Sequence, residues 1–82
     1  MRDELPGFGK ALRARREVAG LTLQWLSEAA GTHFTTISQI ENGKRSVSLR
    51  VAAQLAAALD VSLDDLLRDA AVIAASESPS PS

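Results

Sequence analysis

The chain contains no cysteine and only one histidine, and it has no long apolar run. The lack of cysteine excludes disulfides and thiolate metal sites, and it fits a reducing compartment. One histidine, without a catalytic triad or a phosphate-binding glycine loop, favours neither a metal site nor an enzyme, and no cofactor is expected. The longest apolar stretch, Ala70–Ala75, is far shorter than the ~20 residues that cross a bilayer, and no signal-peptide pattern follows the polar N-terminus. We therefore expect a cytoplasmic protein.

The 82 residues carry a net charge of −1, but the charges are unevenly distributed along the chain. Residues 1–50 hold eight Lys or Arg and five Asp or Glu, whereas residues 51–82 hold one Arg and five acidic residues. The basic residues form two clusters, one within residues 10–16 and one within residues 44–50. A basic N-terminal half is compatible with nucleic-acid binding, and the alternative is two solvated helix faces of unlike charge.

Hydrophobic spacing predicts a single all-α domain of five short helices without strands. The predicted helices are about Phe8–Ala19, Leu23–Ala30, Phe34–Glu41, Leu49–Leu59 and Leu63–Ala75. The residues expected to cap them are Thr22, Thr32 or His33, Ser48 and Ser62, with Gly31 and Gly43 at turns. An N-terminal arm (residues 1–7) precedes the domain (residues 8–75), and a disordered Ser/Pro-rich tail (residues 76–82) follows it.

The first predicted helix carries a charged residue on its apolar face. Phe8, Ala11, Leu12 and Val18 are expected to face inward, and Arg15 lies among them. Arg15 must therefore extend to solvent along its aliphatic stem or find a charged partner.

The segment from Leu26 to Gly43 has the layout of a helix-turn-helix. One helix is followed by a short turn at Gly31 and by a second helix whose inner positions are Ile37 and Ile40. A helix ~10 Å in diameter fits the ~12 Å major groove of B-form DNA, while the preceding helix crosses the backbone with its N-terminal amides facing phosphate. This segment therefore predicts DNA binding through the second helix.

The chain resembles the Cro/C1-type (Xre) helix-turn-helix family from about Phe8 to Leu67. The matching runs are Leu12–Glu17, Gly20–Thr22, Ile37–Lys44 and Leu55–Leu67, of which Ile-Ser-Gln-Ile-Glu-Asn-Gly is the most specific. The resemblance implies the five-helix lambda-repressor-like fold and a sequence-specific regulator of transcription. The expected mode of action is that of a repressor binding a palindromic operator as a homodimer.

The resemblance also implies which residues contact DNA. The expected base-contacting residues are His33, Phe34, Thr35, Thr36, Ser38 and Gln39. The expected phosphate-contacting residues are Thr22, Leu23, Gln24, Asn42, Gly43, Lys44 and Arg45. Arg16 and Glu41 match a family pair that forms a structural salt bridge between the first and third helices.

Three residues depart from the family pattern. Leu23 and Phe34 are apolar where many relatives carry a glutamine and a polar residue that brace each other. One hypothesis is that Leu23 packs on Phe34 and that Phe34 meets a thymine methyl group. The other is that Phe34, or the usually polar position of Trp25, binds a protein partner. For Trp25, packing against a neighbouring helix is a further interpretation.

The chain is expected to form a dimer through its fifth helix. One domain offers few DNA contacts, which favours a dimer on two half-sites. Leu66, Val72 and Ile73 on the acidic fifth helix are the candidates, unless Ala70–Ala75 only extends that helix over its own core. The alternative function is a protein-interaction module, or an antitoxin-like subunit that binds both DNA and a protein, on the same fold.

Overall fold

The computed structural model describes residues 5–77, and within that range the chain folds into five α-helices without strands. The helices are α1 (Phe8–Val18), α2 (Leu23–Ala30), α3 (Phe34–Glu41), α4 (Leu49–Ala58) and α5 (Leu63–Glu77). This arrangement confirms the predicted all-α class. Residues 1–4 of the predicted arm and residues 78–82 of the predicted tail lie outside the described range.

The helix starts follow from local capping chemistry. The hydroxyl oxygens of Thr22, Ser48 and Ser62 each accept the backbone N–H three residues later, at 3.0–3.1 Å. Each cap satisfies an amide that has no partner inside its helix. Gly31 ends α2 with φ +70°, a conformation that costs glycine little. The caps predicted at these positions are therefore confirmed.

A single core holds the five helices together. Its largest fully buried side chains come from every helix and are Phe8, Leu12, Leu26, Ile37, Leu55 and Leu66. Val18 was expected to join them, and that prediction was wrong because its side chain is 89% exposed. Val18 lies in the last turn of α1, where Glu17 and Ala19 are exposed as well. Helical spacing therefore misassigned Val18, which points to solvent although Arg15 and Arg16 in the same turn contact α5 and α3.

Helices α1 and α5 run antiparallel and are joined by two ion pairs. Arg15 Nε donates to Asp69 Oδ2 at 2.6 Å, and Lys10 Nζ donates to Glu77. The hydrogen bond to Asp69 raises the pKa of Arg15 above its ordinary value, so Arg15 has the charged partner that its position required. The pairing with Lys10 lies in the last turn of α5. Ser76 and Glu77 therefore belong to this helix and not to the tail to which the sequence pattern assigned them.

Two glycines allow α1 to approach its neighbours closely. Gly7, the N-cap of α1, has φ +80°, and a Cβ on it would overlap the carbonyl oxygen of Ala70. A Cβ on Gly9 would overlap the carbonyl oxygen of Ile40 and lie 3.1 Å from the Cα of Glu41. The first turn of α1 therefore packs on the backbone of both α5 and the end of α3. This contact fixes where α3 ends relative to the rest of the domain.

Candidate nucleic-acid interface

The helix-turn-helix is built on the buried inner faces of α2 and α3. Leu26 and Ala30 of α2 pack with Ile37 and Ile40 of α3 in the common core. Helix α3 packs mainly against α1 and α2, which leaves its opposite face open. This packing presents α3 as a rigid, partly exposed rod.

The six residues predicted to contact bases all lie on or beside the open face of α3. Their side chains are exposed at His33, Phe34 and Thr35 and half-buried at Thr36, Ser38 and Gln39. The first three lie together at the N-terminal end of the helix. Together the six side chains offer hydroxyl, amide and ring groups, which can hydrogen-bond or make apolar contacts with base edges.

His33 is the N-cap of α3, one of the two caps that the sequence allowed. Its Nδ1 accepts the backbone N–H of Thr35 at 3.2 Å. Its ring also stacks on Phe34, with centroids 5.1 Å apart and an interplanar angle of 29°. The sequence did not predict this stacking; the adjacency of two aromatic residues at a helix start was its only sign. Leu23 packs against the core, and its proposed contact with Phe34 stays a prediction.

The residues predicted to contact phosphate lie at two places that flank α3. Thr22 and Gln24 are exposed at the start of α2, and Leu23 between them is half-buried. The second group, Asn42, Gly43, Lys44 and Arg45, is exposed immediately after α3. Both places present backbone amides near a helix end or turn, together with polar or basic side chains.

Local hydrogen bonds order the second of these groups. Asn42 Nδ2 donates to the carbonyl oxygen of Ser38 at 2.9 Å, and Arg45 Nη1 donates to Gln39 Oε1 at 3.4 Å. Gly43 turns the chain with φ +72°. Hydrogen bonds therefore join two residues expected to contact phosphate, Asn42 and Arg45, to two expected to contact bases, Ser38 and Gln39.

Basic side chains from both clusters of the sequence line one groove. The groove has a volume of about 370 Å³ and lies between the start of α1, the loop after α3 and the end of α5. Lys10 lines it together with Lys44 and Arg45, and Glu77 is the acidic residue that pairs with Lys10. The fold thus concentrates basic side chains beside the end of α3.

The ion pair between Arg16 and Glu41 is present and is the most buried ion pair among the described residues. Arg16 Nε and Nη2 donate to the two carboxylate oxygens of Glu41 at 2.8 and 3.0 Å. The side chains are only 12% and 5% exposed, respectively. Arg16 Nη1 also donates to the carbonyl oxygen of Leu21 at 2.9 Å. The hydrogen bonds that Arg16 donates to Glu41 raise the pKa of Arg16 despite the opposing effect of burial, so the guanidinium stays charged.

The structure corrects one of the dimerisation candidates. Leu66 is fully buried in the core of its own domain, where α5 packs against α1 and α4, so its side chain is not available to a second copy. Ile73 is half-buried against the same core, whereas Val72 is 60% exposed. Trp25 and Phe34 are each about half exposed. Val72 is thus the most accessible of the three candidates on α5.

The described residues contain no group of three or more His, Asp or Glu side chains placed to hold a metal ion. Within residues 5–77 the longest helix is neither long nor apolar enough to cross a bilayer.

The chain is similar to known proteins of one family. A family model described as "Helix-turn-helix" matches residues 12–66. The HTH-type transcriptional repressor RghR of Bacillus subtilis is 39% identical over 70 residues, which cover 84% of this chain and 52% of RghR. The chain spans about half the length of the curated relatives it matches.

Two solved structures share the fold. The clp gene regulator ClgR of Corynebacterium glutamicum is 34% identical, with a TM-score of 0.84 over 89% of this chain and 78% of ClgR. The master regulator for biofilm formation SinR, solved in complex with DNA, is 31% identical, with a TM-score of 0.69 over 73% of this chain and 97% of SinR. These similarities confirm the resemblance seen in the sequence: the chain belongs to the Cro/C1-type helix-turn-helix family of DNA-binding transcriptional regulators.

Proposed function

We propose that this chain binds duplex DNA sequence-specifically, with α3 in the major groove, and represses transcription by occupying a palindromic operator as a homodimer. The observation that carries the proposal is the open face of α3, with six side chains suited to base edges between two phosphate-binding ends. The repressor name of RghR and the DNA bound to SinR support the same function.

Base reading is assigned to the exposed positions of α3. Thr35, Ser38 and Gln39 supply hydroxyl and amide groups, and glutamine pairs well with adenine N6 and N7. Phe34 provides an apolar surface for a thymine methyl group. Gln39 already accepts a hydrogen bond from Arg45, so its side chain loses less conformational entropy when it binds a base.

Phosphate binding is assigned to the start of α2 and to the turn after α3. The N-terminus of α2 carries a partial positive charge and free amides, and Thr22 and Gln24 lie beside it. Lys44 and Arg45 add full charges near the other end. These contacts set the register of α3 in the groove without reading sequence.

Salt dependence tests the DNA assignment. If the dimer neutralises about six phosphates, the affinity for duplex DNA should fall about 1,000-fold between roughly 50 and 200 mM salt. Lys44→Ala should weaken binding to all sequences and reduce the slope of log K against log salt by about 1 for each lysine removed from a phosphate. The measurement is fluorescence anisotropy with a labelled duplex at several salt concentrations.

Arg68→Ala is the matched control for this titration. Arg68 is an exposed arginine on α5, where its neighbour is Asp65. Its removal changes the net charge equally, and, once sedimentation shows the same oligomeric state as the wild type, it should leave the slope unchanged. Equal slopes for wild type and Lys44→Ala would contradict the assignment of Lys44, and a flat salt response of the wild type would contradict DNA binding itself.

The dimer is proposed to form through the outer face of α5. Val72 is exposed there and is flanked by Ala71 and Ala75, small exposed residues that allow a second helix to approach closely. Two copies would place their recognition helices on half-sites about 34 Å apart. Val72→Glu should therefore convert the dimer to a monomer and weaken operator binding at least ten-fold.

Sedimentation velocity at micromolar concentration, with and without operator DNA, measures this effect. Val18→Glu is the control, because Val18 is an exposed valine on a different helix. The dimer proposal fails if the wild type sediments as a monomer in both conditions, and the interface is elsewhere if Val72→Glu remains a dimer.

The second candidate function is that of a protein-interaction module or antitoxin-like subunit. The half-exposed aromatic rings of Trp25 and Phe34, on helices α2 and α3, favour it. An apolar protein contact responds little to salt, so the same titration separates the two functions. A partner retained at high salt while DNA is released would support an additional protein-binding role.

A further inference from the structure

His33 is held in one orientation by two independent contacts. Its Nδ1 accepts the N–H of Thr35, and one face of its ring lies against Phe34. The hydrogen bond sets the direction of one ring edge, and the stacking sets the ring plane. The side chain is nevertheless exposed at the leading end of α3.

The capping bond determines which ring nitrogen carries the proton. A nitrogen that accepts an N–H uses its lone pair for that bond and has no hydrogen of its own in the neutral ring. The proton of neutral His33 must therefore lie on Nε2. Nε2 leaves the ring on the side away from the cap, so the outward edge of His33 is a hydrogen-bond donor.

A fixed donor discriminates among bases in the major groove. Guanine presents two adjacent acceptors, N7 and O6, and no donor on that edge. Adenine places its N6 amino donor beside N7, cytosine presents a donor, and thymine places a methyl group beside its single acceptor. A single fixed donor can bond to N7 of either purine, but guanine is the better match because a second acceptor, O6, lies beside N7, whereas adenine has the N6 amino donor there.

We infer that His33 is a specificity-determining residue that donates from Nε2 to a guanine in each half-site, in the tautomer imposed by its role as the cap of α3. The inference rests on the proposed DNA-binding function and adds to it the identity of one base. Phe34 contributes by fixing the imidazole plane, which reduces the rotational freedom lost on binding.

Two variants separate base reading from capping. Ser and Asp at position 33 keep an acceptor for the Thr35 amide, and both are favourable N-caps, but neither has an outward donor that reaches a base. Circular dichroism should show melting temperatures of both variants close to that of the wild type. The Asp variant adds a negative charge, which lowers affinity for every sequence and leaves the ratio between two sequences interpretable.

The experiment begins with selection of wild-type binding sites from a random duplex pool, followed by affinity measurements on the selected site. Replacing the guanine that pairs with His33 by adenine should weaken wild-type binding about ten-fold or more. Replacing it by 7-deazaguanine, which lacks the N7 acceptor, should weaken wild-type binding several-fold. For His33→Ser and His33→Asp, guanine and adenine sites should differ less than about two-fold at that position.

The outcomes distinguish this inference from the function on which it rests. If both variants keep the wild-type preference for guanine, His33 does not read that base and the inference is overturned. It is overturned as well if the wild type binds duplex DNA but selects no guanine near the start of α3, and the proposed function then still stands. Failure of the wild type to bind any duplex at low salt would overturn both.

Discussion

Glu41→Ala should lower the free energy of unfolding by about 3–5 kcal/mol, a large share of the stability of a domain this small. The carboxylate accepts two hydrogen bonds from Arg16, and both side chains are nearly buried. Without Glu41, the guanidinium keeps only its bond to the carbonyl oxygen of Leu21 and remains a mostly buried charge without an acidic partner. Urea denaturation followed by circular dichroism measures the change.

The exposed pair between Arg13 and Glu17 provides the control. Both side chains are more than half exposed and lie one turn apart on α1. Glu17→Ala should cost about 0.5 kcal/mol or less, because water screens and replaces the interaction. Equal costs for Glu41→Ala and Glu17→Ala would show that burial does not strengthen the dependence on the Arg16–Glu41 pair.

A double variant separates the stabilisation that the ion pair contributes from the destabilisation caused by a single buried charge without a partner. Arg16→Met with Glu41→Leu removes both charges and retains apolar volume, so its stability should lie closer to the wild type than that of Glu41→Ala. Glu41 is the last residue of α3. We propose that the ion pair orients that end of the helix, so the double variant should still bind the operator more weakly. A fold restored with affinity unchanged would contradict the orienting role.

The elements of the fold could be predicted from local chemistry in the sequence. Caps such as Ser48 and turns such as Gly31 act over three or four residues, and helical spacing reports which residues share a face. The ion pair between Arg16 and Glu41 joins residues 25 apart. Spacing alone does not reveal such a pair, and it was expected only from the family resemblance.

The errors share one physical cause, which is that a helical pattern does not show what covers each face. Val18 was grouped with the inward residues of α1 by its spacing, yet it is 89% exposed. Leu66 was named as a candidate for contact with a second copy, but it is fully buried within its own domain, where α5 packs against α1 and α4. Helix α5 extends to Glu77, two residues beyond its predicted end, and Glu77 pairs there with Lys10, a residue 67 positions away. Tertiary contacts therefore determine which residues of a helix are buried, and the local sequence pattern does not show these contacts.

Gly9→Ala should destabilise the domain by about 1–3 kcal/mol, although alanine favours helix formation by up to about 1 kcal/mol. The expected loss arises because the added methyl group would overlap the carbonyl oxygen of Ile40 and lie 3.0 Å from that of Glu41. These are backbone atoms at the end of α3, and they cannot rotate away as a side chain would. Gly9→Val should cost more, since its branched side chain needs more space at the same contact. Thermal and urea unfolding measure both changes.

Ala14→Gly is the matched control, because Ala14 is an exposed residue in the middle of the same helix. It should cost about 1 kcal/mol through helix propensity alone. Alanine would then be preferred at position 14 and glycine at position 9 of one helix, which only the close contact with α3 explains. Because that contact involves Glu41, displacing α1 should also strain the ion pair with Arg16, and Gly9→Ala and Glu41→Ala should combine non-additively. A stabilised Gly9→Ala variant would contradict the close approach of α1 to α3.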